Sequence, residues 1–379
     1  MARQSPLIER LAASEPMVLG YGPAELAVPV IESFGQLEFE YASLRRSGVI
    51  IDQPHRGTIE VRGSGRIDFL NRMLTQKLVG LNQGTSVCSF WLNRQGRIVA
   101  DLRLLILPDL VLMDVDVHAV ASVVASLGTY LISEDVELLD ATDRWHRLGL
   151  HGPDMPRLLS LACAGLELAE GQCAEVEIAG QKVVVDRWQR AGEPGFELSM
   201  AVEAADAVWH SLLAEAQRSN IRLREAGWHA FNMARIEAGT PIFMLDFGPD
   251  SLPGETTLLE SRVSMTKGCY LGQEVVARMH NLGHPKQRLA GVRLDQPASA
   301  NEFQPVTGTQ VLSADDPDTP VGAVTSSTIS PMLGGEPICF AMLKWSHAGE
   351  GTRVGFRTGQ GVLPATVHER LRFWPRHEG

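Results

Sequence analysis

The chain has 379 residues, long for a single core, of which 44% are hydrophobic and 21% charged. This is ordinary globular composition, neither collagen-like nor disordered, and the length implies two or three domains packed together. A formal net charge of −11 favours solubility and argues against a broad nucleic-acid footprint or adhesion to an anionic membrane.

The opening "MARQSPLIERLAASEP" is too polar and too acidic for a signal or transit peptide, and no apolar run approaches a membrane span. A cytoplasmic setting is the expectation. "GTIEVRG" (57–63) alternates as a half-buried strand with Ile59 and Val61 on one face. "GRIDFLNRMLTQKL" follows with a helical stripe of Ile67, Leu70, Met73 and Leu74. After a Gln-Gly turn, Asp101 opens an apolar strand, and "DLRLLILPDLVLMDVD" reads as two strands joined at Pro108-Asp109. A helix is predicted from about His118 to Leu131. "QKVVVDRWQRAGEPGFELSM" gives two strands around a Gly-Glu-Pro-Gly turn. A helix then carries Ala205, Val208, Trp209, Leu212, Leu213 and Ala216 on one face. "FNMARIEAGTPIF" is a helix that stops at Gly239 with Pro241 beyond. From about His284 the chain changes to short strands between Gly, Pro and Asp clusters, an all-β module. This order predicts an α+β protein with antiparallel sheets rather than a doubly wound one.

The five cysteines, Cys88, Cys163, Cys173, Cys269 and Cys339, are scattered and include no CxxC, which fits a reducing compartment. No cysteine or histidine spacing resembles a zinc site, so no metal is expected. Glu193 and Glu197 flank the Pro-Gly turn. A carboxylate offers two parallel acceptors, the complement of a planar heterocycle with N–H and NH₂ side by side, as on a pterin edge. Surface acids beside a turn fit the same spacing. Arg235 suits a buried carboxylate or carbonyl partner, or else a solvated helix face. Asp101 reads as a strand-end residue or as a general base at a pocket mouth. Cys269, in "MTKGCYLGQEVVAR", has Lys267 two residues away and a helix or strand start just after it. That setting favours a thiolate, and a packed cysteine in a tight turn is the alternative.

"KGCYLGQE" followed by "VVAR" is very similar to the signature of the folate-binding YgfZ family, relatives of the glycine cleavage T-protein associated with iron–sulfur cluster maintenance. Weaker resemblances to the wider superfamily come in order: "EYASLRRSGVIID", "GEPGFEL", "RIEAGTP" and "VSMTKGCYLGQE". They cover about Gln36 to Leu294. The resemblance implies a T-protein-like cloverleaf: two interlaced α/β subdomains over 1–284, and a C-terminal β-barrel over 285–379. It implies a reduced folate (tetrahydrofolate) in a central hole. Glu197 would hold the pterin edge, with Arg235 shaping the pocket and Glu193 matching the earlier acid of the turn. Cys269 would be the functional thiol, placed by Lys267, Gly268 and Tyr270, with iron–sulfur proteins as partners.

Two departures from the superfamily stand out. Its aminomethyltransferases carry a Gly-Gly turn and paired aspartates, the first catalytic, whereas "QGRIVADL" puts Ala100 there and leaves only Asp101. Losing a positioned acid or base removes on the order of 10²–10⁴ in rate. The tyrosine that the enzymes place before the Gly-Glu turn is replaced by Arg190. The resemblance therefore implies folate binding with an essential thiol. The rivals are a true aminomethyltransferase that uses Asp101 and a lipoyl carrier protein, and a scaffold that has lost folate.

Overall fold

The computed structural model describes residues 3–295, 303–359 and 361–373. It divides into two units, Met1–Ser89 with Asp101–Phe231, and Phe90–Ala100 with Asn232–Gly379. Of the expected 1–284 region, residues 1–2 lie outside the described residues, as do 296–302, 360 and 374–379 of the expected barrel.

Strand alternation sets the architecture of the first unit. In Trp145–His151, Gln181–Arg187 and Gly195–Ala201 one face carries Leu148, Leu150, Val183, Val185, Phe196, Leu198 and Met200. These residues bury against Leu158 and Leu159 of the helix Met155–Ala162 and against Val208, Trp209 and Leu212 of the helix Ala205–Arg218. Period-two geometry turns Arg147, Gly149, His151, Asp186 and Glu197 to the other face. The sheet has six strands, in the order 173–178, 181–187, 195–201, 145–151, 48–52 and 223–225. All its neighbours are antiparallel except Leu223–Glu225, which runs parallel to Gly48–Ile50.

A second, five-stranded sheet orders 86–92, 98–106, 111–116, 56–62 and 137–140. Leu105 and Leu112 of this sheet, with Leu107 in the turn between their strands, pack with Cys173 and Val184 of the first. Nearby the layer between the sheets turns polar: Arg103 binds Asp186 through Nε at 2.9 Å and Nη2 at 2.8 Å, and Ser86 donates to the same carboxylate at 2.5 Å. Asp114 is clasped by Arg147 and by Arg56, the latter at 2.8 Å. Burial alone would raise the Asp114 pKa, but Arg147 and Arg56 outweigh it and hold the carboxyl below its usual range.

In the second unit six strands close a barrel, in the order 287–294, 336–344, 320–330, 310–313, 353–358 and 361–368. Inward residues include Val292, Val311, Val324, Cys339, Ala341, Val354, Phe356 and Val367. The α+β prediction and the C-terminal barrel are both realised. Boundaries moved where side chains compete with helix propensity. The predicted helix after Gly65 ends at Met73, because Leu74 turns extended and Asn71 Oδ1 accepts from the Leu78 N–H at 2.8 Å. The next helix is Val120–Gly128, preceded by one 3₁₀ turn. Asp101 does not open its strand: pairing already begins at Ile98, so Asp101 sits inside it.

Candidate functional site

The strand Gly195–Ala201 follows the Pro-Gly turn, and its alternation puts Glu197 on the polar face, only 2% exposed. An ionised carboxylate there needs partners, yet those it has are poor. Arg190 Nη1 stands 3.5 Å from Oε1 and His151 Nε2 stands 3.9 Å from it, while Oε2 has no hydrogen-bond partner. Burial pushes the Glu197 pKa up to about 7 against the pull of Arg190. The reading of Glu197 as a surface acid therefore fails.

His151 closes the strand Trp145–His151 and is fully buried, with neither ring nitrogen bonded. Burial, then the Arg190 charge, lower its pKa to about 3, so the ring is neutral near neutral pH. Two glycines let neighbouring groups approach it closely. A Cβ at Gly149, the cross-strand partner of Glu197, would lie 2.3 Å from Gln53 Nε2 and 3.0 Å from His151 Nε2. One at Gly195 would lie 2.9 Å from His151 Nδ1. Gln53 Oε1 and His55 Nδ1, in the loop after the strand Gly48–Asp52, are also buried without partners.

Around these groups runs a chain of rings. Tyr21 meets His55 at 5.0 Å, His55 meets Trp228 at 5.3 Å, Trp228 meets Phe231 at 5.6 Å, and Phe231 meets His151 at 5.1 Å. The Arg190 guanidinium lies between Trp188 at 4.6 Å and Phe231 at 5.1 Å, which fixes its plane. Flat aromatic walls with unsatisfied acceptors and donors are the chemistry of a pocket for a planar, polar-edged ring. The whole constellation belongs to the first unit.

The other expected residues lie elsewhere. Glu193 is half-buried, 3.5 Å from Arg45 on the helix Leu37–Arg46. Asp101 is partly buried on the strand Ile98–Ile106, and alternation puts it on the face opposite the fully buried Ala100. Arg235, Lys267, Cys269 and Tyr270 belong to the second unit. Arg235 is fully buried, not on a solvated face, and bonds Asn232, Thr240, Asp246 and Ser326. The expected pocket role of Arg235 gains no support from this geometry, which is that of an internal strut.

Cys269 is exposed, in a loop that leads into the helix Gln273–Leu282. The loop packs closely at Gly272, φ +81°, where a Cβ would lie 2.7 Å from the Asn93 carbonyl oxygen and 3.1 Å from Gly96 Cα. Lys267 lies over the Tyr270 ring at 5.3 Å, and burial lowers its ammonium to about 8. Among the described residues no group of three or more His, Cys, Asp or Glu side chains is arranged to hold a metal, and no helix is long and apolar enough to cross a membrane.

Sequence reasoning did not single out His151, Gln53, His55, Tyr21 or Trp228, and met Arg190 only as a departure. Each comes from a different segment, and none carries a local periodic signal. The one usable hint was the glycine before His151 in "LGLHGP".

Residues 21–267 match the GCVT N-terminal domain and residues 287–373 match the glycine cleavage T-protein C-terminal barrel domain. An aminomethyltransferase of Geobacillus kaustophilus is 27% identical over 98% of this chain and 100% of its own length. One from Anoxybacillus flavithermus is 25% identical over 88% of each. The crystal structure of the glycine cleavage system aminomethyltransferase T from Bartonella henselae superposes with a TM-score of 0.85 at 21% identity, covering 99% of this chain and 98% of that one.

Proposed function

The chain belongs to the glycine cleavage T-protein family, and on that premise we propose that it binds a reduced folate in the first unit and works through the Cys269 thiol rather than by aminomethyl transfer. The observation that carries the folate reading is Glu197: a buried carboxylate with Oε2 unpartnered, in the same unit as the His151–Phe231–Trp228 run of rings. A pterin edge presents the two N–H groups such a carboxylate lacks, and two charge-assisted bonds would restore what burial cost it. Trp228, Phe231 and the Trp188–Arg190 stack supply flat surfaces for the bicyclic ring. When bound, the folate would supply the one-carbon chemistry. The protein's own part is to bind the ring, orient it and keep water from its polar edge.

The strand Ile98–Ile106 argues against aminomethyl transfer. The superfamily's catalytic aspartate falls at Ala100, and Asp101 cannot stand in for it, because a one-residue step along a strand reverses the side chain to the other face. What remains is an exposed thiol in the family's most specific signature, with Lys267 and Tyr270 around it. This supports a YgfZ-type role in assisting iron–sulfur proteins or a folate-dependent modification.

The test is a titration with 5-formyltetrahydrofolate followed by tryptophan fluorescence, since Trp188 and Trp228 both border the pocket. Saturable quenching that Glu197→Ala abolishes is the expected result. No binding by the wild-type protein overturns the folate reading. An assay for aminomethyl transfer from a lipoyl carrier protein to tetrahydrofolate should be blank, and turnover at enzyme-like rates would make the chain an aminomethyltransferase after all.

A further inference from the structure

Glu197 is not symmetric in its surroundings. Its Oε2 side is bare, whereas its Oε1 side is flanked by Arg190 Nη1 at 3.5 Å and His151 Nε2 at 3.9 Å. Both distances exceed those of a good charge-assisted bond, about 2.7–2.9 Å, so neither group is committed to the carboxylate. Arg190 also keeps a buried Nε with no partner. A guanidinium only donates, and this one lies over the Trp188 and Phe231 rings, 4.6 and 5.1 Å from their centroids.

We propose that Arg190 reads the ligand atom next to the two N–H groups held by Glu197, and so commits the pocket to a ring edge that runs donor, donor, acceptor. This deepens the folate reading and rests on it. In chemical terms the site takes a 2-amino-4-oxo edge: the amino group on Oε2, the ring N–H on Oε1, the carbonyl oxygen on Arg190. His151, neutral and with Nε2 toward the carboxylate, assists as a donor in its Nε2–H tautomer. A 2,4-diamino edge puts an N–H donor where Arg190 also donates, and two facing donors leave both unsatisfied in a buried place.

The experiment compares 2-amino-4-oxopteridine with 2,4-diaminopteridine on wild-type protein and on Arg190→Gln, whose amide both donates and accepts. Glu197 also disfavours the diamino ring, which lacks the N–H, and that part of the preference stays in the variant. Wild type should prefer the oxo ring by about 100-fold or more. In Arg190→Gln the preference should shrink at least about tenfold, through weaker oxo binding. A variant that weakens both rings equally, or neither, overturns the role of Arg190 and leaves the folate reading intact. If the variant does not fold, wild-type protein with 2-amino-4-thioxopteridine carries the same test, since only the acceptor is weakened. At least tenfold weaker binding than the oxo ring supports the assignment, and equal binding overturns it. Guanosine shares the edge: if it binds and the pteridines do not, the folate reading fails while the edge recognition stands. No binding of any of them overturns both.

Discussion

Arg190–Glu197 in the first unit and Arg235–Asp246 in the second are both buried, and the two pairs are built in opposite ways. In the second unit Arg235 donates to Asp246 at 2.7 Å, and its Nε and both Nη nitrogens have partners. Asp246 is equally provided for, accepting also from the Ile242 N–H at 2.8 Å and the Thr325 hydroxyl at 3.0 Å. In the first unit Arg190 and Glu197 meet only at 3.5 Å, and each keeps a buried polar atom without a partner. Both pair a guanidinium with a carboxylate at similar depth. Completeness of hydrogen bonding separates them, and with it scaffold from site: a satisfied pair holds the fold together, whereas an unsatisfied one stores a demand that a ligand can meet.

The sharpest way to break this comparison is to remove the arginine of the satisfied pair. Arg235→Met should cost about 3–5 kcal/mol, because Asp246 is left charged and buried. Thermal or urea unfolding reads this directly. A loss below about 1 kcal/mol would mean that the network is not a strut. Glu197→Gln should behave the other way, with stability unchanged or raised, since an ill-paired buried charge is removed. Its loss should appear in binding instead, with 5-formyltetrahydrofolate weakened by about 100-fold, as expected when charge-assisted bonds are lost. A Glu197→Gln protein that loses several kcal/mol of stability and still binds as tightly as wild type would reverse the assignment of the two pairs.

Acidity sharpens the contrast further. The folded-state pKa of Glu197 is raised to about 7 from 4.5. Its contribution to stability is therefore complete below 4.5 and is lost as pH rises through about 7, with a slope of at most about 1.4 kcal/mol per pH unit. His151 does the opposite: its folded value is lowered to about 3 from 6.5, so its contribution is present above 6.5 and lost as pH falls toward 3. The two slopes oppose each other where the windows overlap. The difference between wild type and Glu197→Gln isolates the carboxylate, and it should favour wild type increasingly toward acid. Binding follows the carboxylate form, so affinity for the folate should fall about tenfold per pH unit below about 7. A flat profile would show that the ligand does not need the ionised acid.

How much of this was legible in the sequence depends on the range of the signal. The β-barrel and the antiparallel layers announced themselves through alternation and turn residues, which act over a few neighbours. Glu197 could be placed on a strand by the same means, but its burial could not. That is set by which strands pair with it, and Trp145–His151 and Gln181–Arg187 come from different parts of the chain. Arg235 shows the converse. Its motif was recognisable, while its four partners, in a loop, a helix turn and a barrel strand, were not. Asp101 was misplaced because a turn signal marks the end of a hairpin only to within a few residues.

Cys269 is where sequence said most and packing says least, and it carries the smallest predicted effect on stability. The thiol is exposed, while Cys88, Cys173 and Cys339 are buried. Burial raises the pKa of Cys173 to about 12 and pushes that of Cys339 higher still. An exposed side chain away from caps and cores changes stability by less than about 0.5 kcal/mol when replaced, so Cys269→Ser should melt with the wild type. Alkylation of the native protein with iodoacetamide, read by peptide mass, should modify Cys269 first and leave Cys88, Cys173 and Cys339 untouched until denaturant is added. A Cys269→Ser protein that folds, binds folate with unchanged affinity and yet loses the activity on iron–sulfur clients proposed above would assign the thiol to the chemistry alone. Unchanged activity in that same variant would return Cys269 to the surface and leave the buried carboxylate as the single functional feature of the chain.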